Sequence, residues 1–224
     1  MEKQLEFSTL LQKLEDLEPI HFLVLGLKNS GKTTLLRLFG EITTFKHTKD
    51  FTVETVVYRN ITFTSFPISN EEFKPLQRKY YASEPGIPLI PIAGIIFLLD
   101  STHSESQEII DAYNDLAEVI HDDELWAVPL LIAANKSDLN KLCYFHISSN
   151  FNHRRLSTRR KNRIHNITGT TGAGLHAGLE WLVDEVLKSR SGGETEGAPP
   201  SVQPNGIAVE LVKVAWDLFR RVIV

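Results

Sequence analysis

The stretch "LVLGLKNSGKTTLL", residues 23–36, gives the strongest indication of how this chain folds. It begins as an apolar run, typical of a buried β-strand, and continues through a glycine-containing turn into a helical pattern. Between the two, residues 26–33 match G-x-x-x-x-G-K-[ST], a spacing that wraps backbone N–H groups around a phosphate at a helix N-terminus. Lys32 would add a cation there, and the Thr33 hydroxyl would coordinate Mg²⁺. The sequence therefore predicts a phosphate-binding loop, and a coincidental glycine turn is the disfavoured alternative.

A second motif, Asn135-Lys136-Ser137-Asp138, follows the apolar run "PLLIAA" about 100 residues further along the chain. The Asp138 carboxylate can accept hydrogen bonds from the N1–H and the exocyclic amine of guanine, a donor pair that adenine lacks. The stem of Lys136 can lie over the base. This motif is weak alone, but after a phosphate-binding loop and at the end of a parallel strand it indicates GTP or GDP rather than ATP.

The composition is that of a globular protein able to bury a full core, with 224 residues, 42% of them hydrophobic, and a formal net charge of −4. The single cysteine, Cys143, cannot form an internal disulfide and suits a reducing compartment. The N-terminus lacks the layout of a signal peptide, and the longest apolar run is too short to span a bilayer. We therefore expect a cytoplasmic protein, with peripheral contact to a membrane as the open alternative.

Apolar runs alternate with helical patterns along the chain. The β-rich segments "FTVETVVYR" and "NITFTSF" meet at Arg59-Asn60, which predicts a hairpin. Further apolar runs at 94–99 and 128–134 alternate with helical patterns near 104–121 and 174–189. This order predicts an α/β fold with a mainly parallel sheet covered by helices on both faces.

The two ends of the chain differ from this central part. Residues 1–18 carry apolar side chains at the spacing of one helical face, and residues 207–224 carry a wide apolar surface beside a charged sector. Each end therefore predicts an amphipathic helix, which either packs on its own domain or docks on a membrane or a partner. Residues 189–206 predict a flexible linker, which leaves residues 19–188 as the nucleotide-binding domain.

The stretch "HRRLSTRRKNRIH", residues 153–165, holds six Arg or Lys side chains. We favour a solvated loop over an RNA-binding or anionic membrane patch, because no aromatic side chain is interleaved to stack on bases. No specific nucleic-acid partner is expected.

Several segments, in order and nearly in register, resemble the Arf and Arf-like branch of the Ras-related small GTPases: "GLKNSGKTTLLRLF", "FTVETVVYRNITFT", "PLQRKYY", "LLDST", "DDELWAVPLLIAANKSDL" and "GLEWL". The resemblance covers residues 1 to about 188. It implies a P-loop small-GTPase fold with a six-stranded, mainly parallel sheet, one antiparallel strand and flanking helices. It also implies GTP/GDP and Mg²⁺ as cofactors, and two switch segments that sense the γ-phosphate.

The resemblance adds residues to the site that the two motifs define. Thr48 aligns with the switch residue that ligates Mg²⁺ in the triphosphate state, so the candidate metal ligands are Thr33 and Thr48. Thr168 and Gly169 align with a base-contacting pair that acts through backbone N–H groups, and Gly169 is a departure expected only to weaken positioning. The candidate nucleotide-binding residues are Gly26, Leu27, Lys28, Asn29, Ser30, Gly31, Lys32, Thr33, Thr34, Asn135, Lys136, Asp138, Thr168 and Gly169.

The chain departs from the family where hydrolysis is carried out. The family's W-D-x-G-G-Q becomes "FPISN", residues 66–70, one residue shorter, so the Mg²⁺-associated Asp is absent. Asn70 is the candidate for the water-orienting Gln, and it is one methylene shorter. Pro67 contributes no N–H and stiffens the segment. Movement of Glu71 or Glu72 into the site to orient water or metal is the disfavoured alternative.

The sequence thus predicts a guanine-nucleotide-binding, Arf-like regulatory switch or scaffold, in membrane trafficking, with weak or absent GTP hydrolysis. It is a GTPase at most. Two rival hypotheses stay open: a slow GTPase completed by an activating protein, and a nucleotide-independent scaffold whose binding has decayed. The expected partners are effectors or regulators that recognise the switch surface, and the terminal helices are the candidate membrane contacts.

Overall fold

The computed structural model describes most of the predicted nucleotide-binding domain. Its described residues are 11, 13–14, 20–46, 52–58, 60–68, 92–103, 107–120, 125–139, 147–148 and 160–191. The predicted C-terminal helix, most of the predicted N-terminal helix, Thr48 and Asn70 lie outside these ranges. What was expected of them therefore stays a prediction.

Strands and helices alternate along the described part of the chain. Their order is β1 (Ile20–Gly26), α1 (Lys32–Phe39), β2 (Thr43–Lys46), β3 (Thr52–Tyr58), β4 (Ile61–Pro67), β5 (Ile92–Asp100), α2 (Gln107–Ile120), β6 (Leu130–Asn135), β7 (Asn162–Asn166) and α3 (Leu175–Ser191). A 3₁₀ turn, Ser101–His103, follows β5. The predicted hairpin is confirmed as β3 and β4, which pair antiparallel with Tyr58 opposite Ile61.

Helix α3 corrects one predicted boundary. The linker was expected to begin at residue 189, but the helix continues to Ser191. Lys188 and Arg190 lie in its last turn, where positive side chains are favoured by the negative end of the helix dipole.

The strands form one mainly parallel sheet, as predicted. Their order in the described sheet is β2-β3-β4-β1-β5-β6-β7. Strand β3 pairs antiparallel with both of its neighbours, while β1 is parallel to β4 and β5, β5 to β6, and β6 to β7. The described sheet thus has the expected single antiparallel strand, and the short edge strand β2 brings the count of strands to seven.

The central strands are apolar without interruption because both of their faces are buried. Leu23 and Leu25 of β1 contribute to one core cluster, and Phe22 and Val24 contribute to the other. Helix α2 covers the first face of the sheet, and helices α1 and α3 cover the second. Strands buried on both faces lose the alternation of apolar and polar residues, which explains the apolar runs of the sequence.

A stack of aromatic rings fixes α1 against the sheet. The ring of Phe39, at the end of α1, lies 4.3 Å from that of Phe63 on β4, centroid to centroid, and Phe63 lies 5.3 Å from Phe22 on β1. All three side chains are buried. The helix that begins at the phosphate-binding loop is therefore attached to the two strands beside it.

The N-terminal segment packs against the same side of the sheet where it is described. Leu11 and Leu14 are buried within the cluster that also contains α1 and α3 side chains. The Asn60 side chain donates a hydrogen bond to the Leu14 carbonyl at 3.1 Å. These contacts favour packing on its own domain for this part of the segment. Within the described ranges, no helix is both long and apolar enough to cross a membrane.

Arg160 corrects the interpretation of the basic stretch. It was assigned to a solvated loop, but only 4% of its surface is exposed. Its guanidinium donates to the carbonyls of Val128 and Ile120, each at 2.7 Å, and to that of Leu125. Because these carbonyls belong to the end of α2 and the approach to β6, Arg160 serves as an internal tie. Lys161 is exposed, as the sequence predicts.

Candidate nucleotide-binding site

The predicted site residues converge at one edge of the sheet, where β1, β5 and β6 end. Gly26 of β1 pairs with Leu98 of β5, and Asp100 of β5 pairs with Asn135 of β6. In open parallel sheets, ligands bind in the crevice outside the carboxyl ends of the strands. The loop after β1 and the N-K-x-D motif after β6 therefore border one crevice.

The backbone of the loop after β1 requires glycine at both ends of its motif. Gly26 has φ 150°, and a Cβ there would lie 2.4 Å from the Leu98 carbonyl oxygen. Gly31 has φ 99°, and a Cβ there would lie 2.3 Å from Asn135 Nδ2. Asn29 adopts φ 65°, a left-handed conformation that Asn tolerates better than most residues. The loop is thus shaped by local conformations that the sequence already specifies.

Helix α1 begins with its backbone donors available. Gly31 is its N-cap residue; in the described structure no side chain caps the helix, and its first turn holds no acidic residue. The first N–H groups of a helix have no partner within the helix, and they carry the positive end of the dipole. The turn that includes Lys32, Thr33 and Thr34 is accordingly suited to a phosphate group.

Lys32 lies folded back over the loop. Its Nζ donates to the Gly26 carbonyl at 2.9 Å and to the Leu27 carbonyl at 2.6 Å. Burial lowers the pKa of Lys32 to about 8, against a smaller opposing effect of the Glu54 charge. A phosphate beside this ammonium would favour its charged form. The lysine is therefore held where the motif predicts a cation. Within the loop, Lys28 and Asn29 are exposed and Ser30 is buried.

Thr33 has an acidic partner that the motif does not contain. Its hydroxyl donates to Glu54 Oε2 of β3 at 2.6 Å. A hydroxyl and a carboxylate are hard oxygen donors of the kind that Mg²⁺ takes, so the residues present fit this metal. Thr33 and Glu54 would hold the ion, which when bound neutralises charge on phosphate oxygens. Within the described ranges, no cluster of three or more His, Cys, Asp or Glu residues is found, so phosphate and water would supply the other ligands.

Asn135 joins the three loops that border the crevice. Its Nδ2 donates to the Ser30 carbonyl, and its Oδ1 accepts from the N–H groups of Lys136 and Gly169, all at 2.8 Å. The side chain is 2% exposed. One buried amide therefore fixes the phosphate-binding loop, the N-K-x-D motif and the loop after β7 relative to one another.

The other side chains of the N-K-x-D motif have different environments. Lys136 Nζ donates to Asp100 Oδ2 at 2.5 Å, while Asp138 is exposed. Ser137 Oγ donates to the Ile167 carbonyl at 2.9 Å and lies 3.3 Å from Thr168 Oγ1. The Asp138 carboxylate is thus accessible at the end of β6, on a turn fixed by its neighbours.

The loop at Thr168 and Gly169 lies next to the motif, as the alignment implies. Thr168 N–H donates to the Ala173 carbonyl at 2.9 Å, and Gly172 N–H donates to the Thr168 carbonyl at 2.7 Å. The Gly169 N–H, which was expected to contact the base, donates a hydrogen bond to Asn135 Oδ1. A direct base contact from Gly169 stays a prediction, and the described role of this glycine is to connect the loop to Asn135.

The end of β4 offers no acidic side chain to the phosphate-binding loop, but the neighbouring strand β3 does. Pro67 pairs in register with Gly26, next to the phosphate-binding loop. Phe66 and Ile68 on either side are buried in the core. Glu54 pairs with Ser65 on the neighbouring strand, and its carboxylate reaches Thr33 from there. The acidic group beside Thr33 therefore comes from β3 and not from the end of β4.

Sequence reasoning missed two residues of this site, Glu54 and Asp100. Asp100 ends a buried strand, a position where ligand-binding residues collect, and that signal was present in "LLDST". Glu54 lies within the segment "FTVETVVYRNITFT", which carries the family resemblance but belongs to neither nucleotide-binding motif. Only the pairing of β3 with β4 brings it to Thr33.

The described sheet and the two motifs at its edge are typical of one class of protein. A mainly parallel sheet with a phosphate-binding loop after its first strand and N-K-x-D at the end of another is that of a P-loop nucleotide-binding protein. The model of the ADP-ribosylation factor family, Arf, matches residues 7–186. The chain belongs to this family of small GTPases, whose cofactors are GTP or GDP with Mg²⁺.

A solved structure shares this fold. It is that of an ADP-ribosylation-factor-like GTP-binding protein, the small COPII coat GTPase SAR1 from Encephalitozoon cuniculi, in complex with GDP. The TM-score is 0.61 at 18% sequence identity, over 84% of this chain and 88% of that chain. At this identity the likeness shows the fold alone.

Proposed function

We propose that this chain is a guanine-nucleotide-binding regulatory protein that hydrolyses GTP weakly or not at all and acts through partners. Nucleotide binding is supported above all by Asn135. Its buried side chain forms hydrogen bonds to the three loops that border the crevice, and these bonds keep the crevice in a fixed shape.

Guanine selectivity rests on the end of β6. Asp138 is exposed there, with Ser137 fixing the turn and Lys136 held to one side. The carboxylate is therefore free to accept from the two donors of guanine, which adenine does not offer. The structure of the E. cuniculi protein, which has the same fold, contains GDP, and we propose the same ligand for this chain.

Weak hydrolysis rests on the end of β4. Hydrolysis of GTP needs a metal ion, a positioned water and usually an Arg supplied by a partner. Pro67 lies beside Gly26, where the family's Mg²⁺-associated Asp is absent, and its ring stiffens the segment. The buried side chains of Phe66 and Ile68 hold the strand end in the core. Asn70 stays the candidate for orienting water, and a displacement of about 1 Å there would cost roughly a hundredfold in rate.

The proposed partners are effectors and regulators that recognise the switch surface. A role in membrane trafficking is supported by the family and by the COPII coat function named for the E. cuniculi protein. Peripheral membrane contact is proposed for the C-terminal segment at 207–224, because Leu11 and Leu14 of the N-terminal segment are already buried. We propose a cytoplasmic location with that contact as its membrane link.

The test is a single-turnover assay on the full chain. Nucleotide released from the purified protein by denaturation is first identified by chromatography, and GTP or GDP is the expected result. Radiolabelled GTP is then bound with Mg²⁺, and its conversion to GDP is followed over hours. We expect tight binding of GTP over ATP, with negligible conversion.

Lys32→Ala provides the control, because it removes the cation of the phosphate-binding loop. Conversion at the rate of an ordinary small GTPase that disappears in Lys32→Ala would show an active enzyme and contradict weak hydrolysis. Conversion that appears only with added cell extract would favour a slow GTPase completed by an activating protein. Equal affinity for ATP and GTP would contradict guanine selectivity.

A further inference from the structure

The backbone of Lys136 is held in an uncommon conformation. Its φ is 61°, in the left-handed region that non-glycine residues enter rarely. The N–H of Lys136 donates to the buried Asn135 Oδ1 at 2.8 Å, which stabilises this conformation. The direction in which the Lys136 side chain leaves the backbone is therefore set before any ligand arrives.

The far end of the same side chain is held as well. Lys136 Nζ donates to Asp100 Oδ2 at 2.5 Å, and the two side chains are 35% and 19% exposed. The other carboxylate oxygen, Oδ1, accepts from the Thr102 N–H at 3.0 Å and from the Thr102 hydroxyl at 2.7 Å. The turn after β5 thus orients the Asp100 carboxylate. The oriented carboxylate in turn fixes the position of the Lys136 ammonium.

The carboxylate is ionised in the neutral range. Partial burial acts to raise the pKa of Asp100, but the hydrogen bonds from Lys136 and Thr102, with the Lys136 charge, hold it below its usual value. Asp100 also lies opposite Asn135 in the pairing of β5 with β6, so the ion pair spans two strand ends at the crevice. A stem tethered at its backbone and at its ammonium has few rotamers left.

We propose that Asp100 is a positioning residue for guanine recognition, because it holds the Lys136 ammonium and so fixes the lysine stem beside the base. This inference rests on the proposed guanine-nucleotide binding. A long side chain that is already ordered loses less rotamer freedom when a ligand binds. Asp100 therefore contributes to affinity for the base without contacting the nucleotide.

The experiment compares GDP with pyrophosphate, which has the phosphates but no base. Displacement of a fluorescent, ribose-labelled GDP from the full chain gives both dissociation constants. Asp100→Asn is expected to weaken GDP binding roughly three- to tenfold, the scale of one newly mobile long side chain, and to leave pyrophosphate binding unchanged. Thr102→Val, which removes one bond to Asp100, is expected to act in the same direction by a smaller factor.

Two controls separate positioning from a general loss of structure. Asp111→Asn makes the same chemical change on α2, at an exposed carboxylate that accepts from Gln107, and it is expected to leave GDP binding unchanged. In the Lys136→Ala background, Asp100→Asn is expected to have no further effect on GDP affinity, because its action passes through the lysine.

Unchanged GDP affinity in both Asp100→Asn and Thr102→Val overturns the inference, and so does equal weakening of GDP and pyrophosphate. If Asp100→Asn does not fold, Thr102→Val decides by the same comparison. An unmodified chain that binds pyrophosphate but not GDP contradicts the proposed function, and this inference falls with it.

Discussion

Glu54 changes what the missing aspartate means for this protein. The carboxylate that the family places at the end of β4 is absent, but Glu54 reaches the Thr33 hydroxyl at 2.6 Å from the neighbouring strand. Loss of the aspartate therefore need not abolish metal binding. With Glu54 as the acidic ligand, the metal would depend on β3, which forms a hairpin with β4.

Glu54→Gln is expected to raise the Mg²⁺ concentration needed to retain GDP by roughly 10- to 100-fold, the usual cost of losing a group that supports a metal ligand. The amide keeps a hydrogen-bond acceptor for Thr33 but loses the charge. GDP release measured at a series of Mg²⁺ concentrations checks this. Glu180→Gln, an exposed carboxylate on α3, is the control. An unchanged Mg²⁺ dependence in Glu54→Gln would rule out a role in holding the metal.

His21 makes stability depend on pH in the acidic range. It lies on β1, with Nε2 2.8 Å from Thr64 Oγ1, and burial lowers its pKa from 6.5 to about 4. As pH falls below 6.5 the unfolded chain takes up a proton first, so stability is full above 6.5 and is lost toward pH 4. The loss is at most about 3 kcal/mol, from the size of the shift.

Urea unfolding at pH 7 and pH 4.5 measures this effect. His21→Gln, which cannot take up a proton but can still bond Thr64, is expected to lose less stability between the two values than the unmodified chain. Equal losses in the two proteins would mean that other groups control the acid response.

At the scale of elements, Arg160 connects the end of α2 with the approach to β6 and the start of β7. Its guanidinium bonds carbonyls at the end of α2 and at the approach to β6, while its own backbone leads into β7. Burial lowers its pKa to about 10, so it is charged at neutral pH. A charged donor near the end of α2 also meets the negative end of that helix dipole.

Arg160→Ala is expected to lower the free energy of unfolding by about 2–4 kcal/mol, because buried carbonyls are left without their charged donor. Chemical denaturation measures the change. Lys161→Ala, at the exposed neighbour, is the control and should stay within about 0.5 kcal/mol of the unmodified chain. A similar small effect at Arg160 would show that water replaces the guanidinium without cost.

At the scale of the whole molecule, the N-terminal segment completes the core. Leu11 and Leu14 are 1% and 0% exposed, in the cluster shared by α1, α3 and the sheet. Lys13 between them is exposed, and its Nζ lies 3.8 Å from Asp184 on α3. The apolar face of this segment is therefore engaged in the described structure, and its charged face is outside.

Leu14→Ala is expected to destabilise the fold by about 2–4 kcal/mol through loss of buried surface and the cavity left behind. The melting temperature and urea unfolding of the full chain measure the change. Lys13→Ala should alter stability by less than about 0.5 kcal/mol, since exposed ion pairs contribute little. Equal effects of the two changes would indicate that the segment is not packed in solution.

The phosphate-binding loop, the guanine motif and the parallel sheet follow from the amino-acid sequence alone. Each depends on residues that are close together in the chain. Gly26 and Gly31 adopt backbone conformations that a side chain would block. Strands buried on both faces consist of uninterrupted apolar residues. Such signals are local in the chain and do not depend on the rest of the fold.

Which side chains complete that site depends on tertiary contacts. Glu54 meets Thr33, Asp100 meets Lys136, and Arg160 meets the end of α2 across 21, 36 and 40 positions of the chain. These contacts depend on which strands are neighbours and on their register, because a shift of one residue turns a strand side chain to the opposite face. Residues so far apart in the chain share no local pattern, so the acid beside Thr33 and the partner of Lys136 appear only when the sheet is assembled.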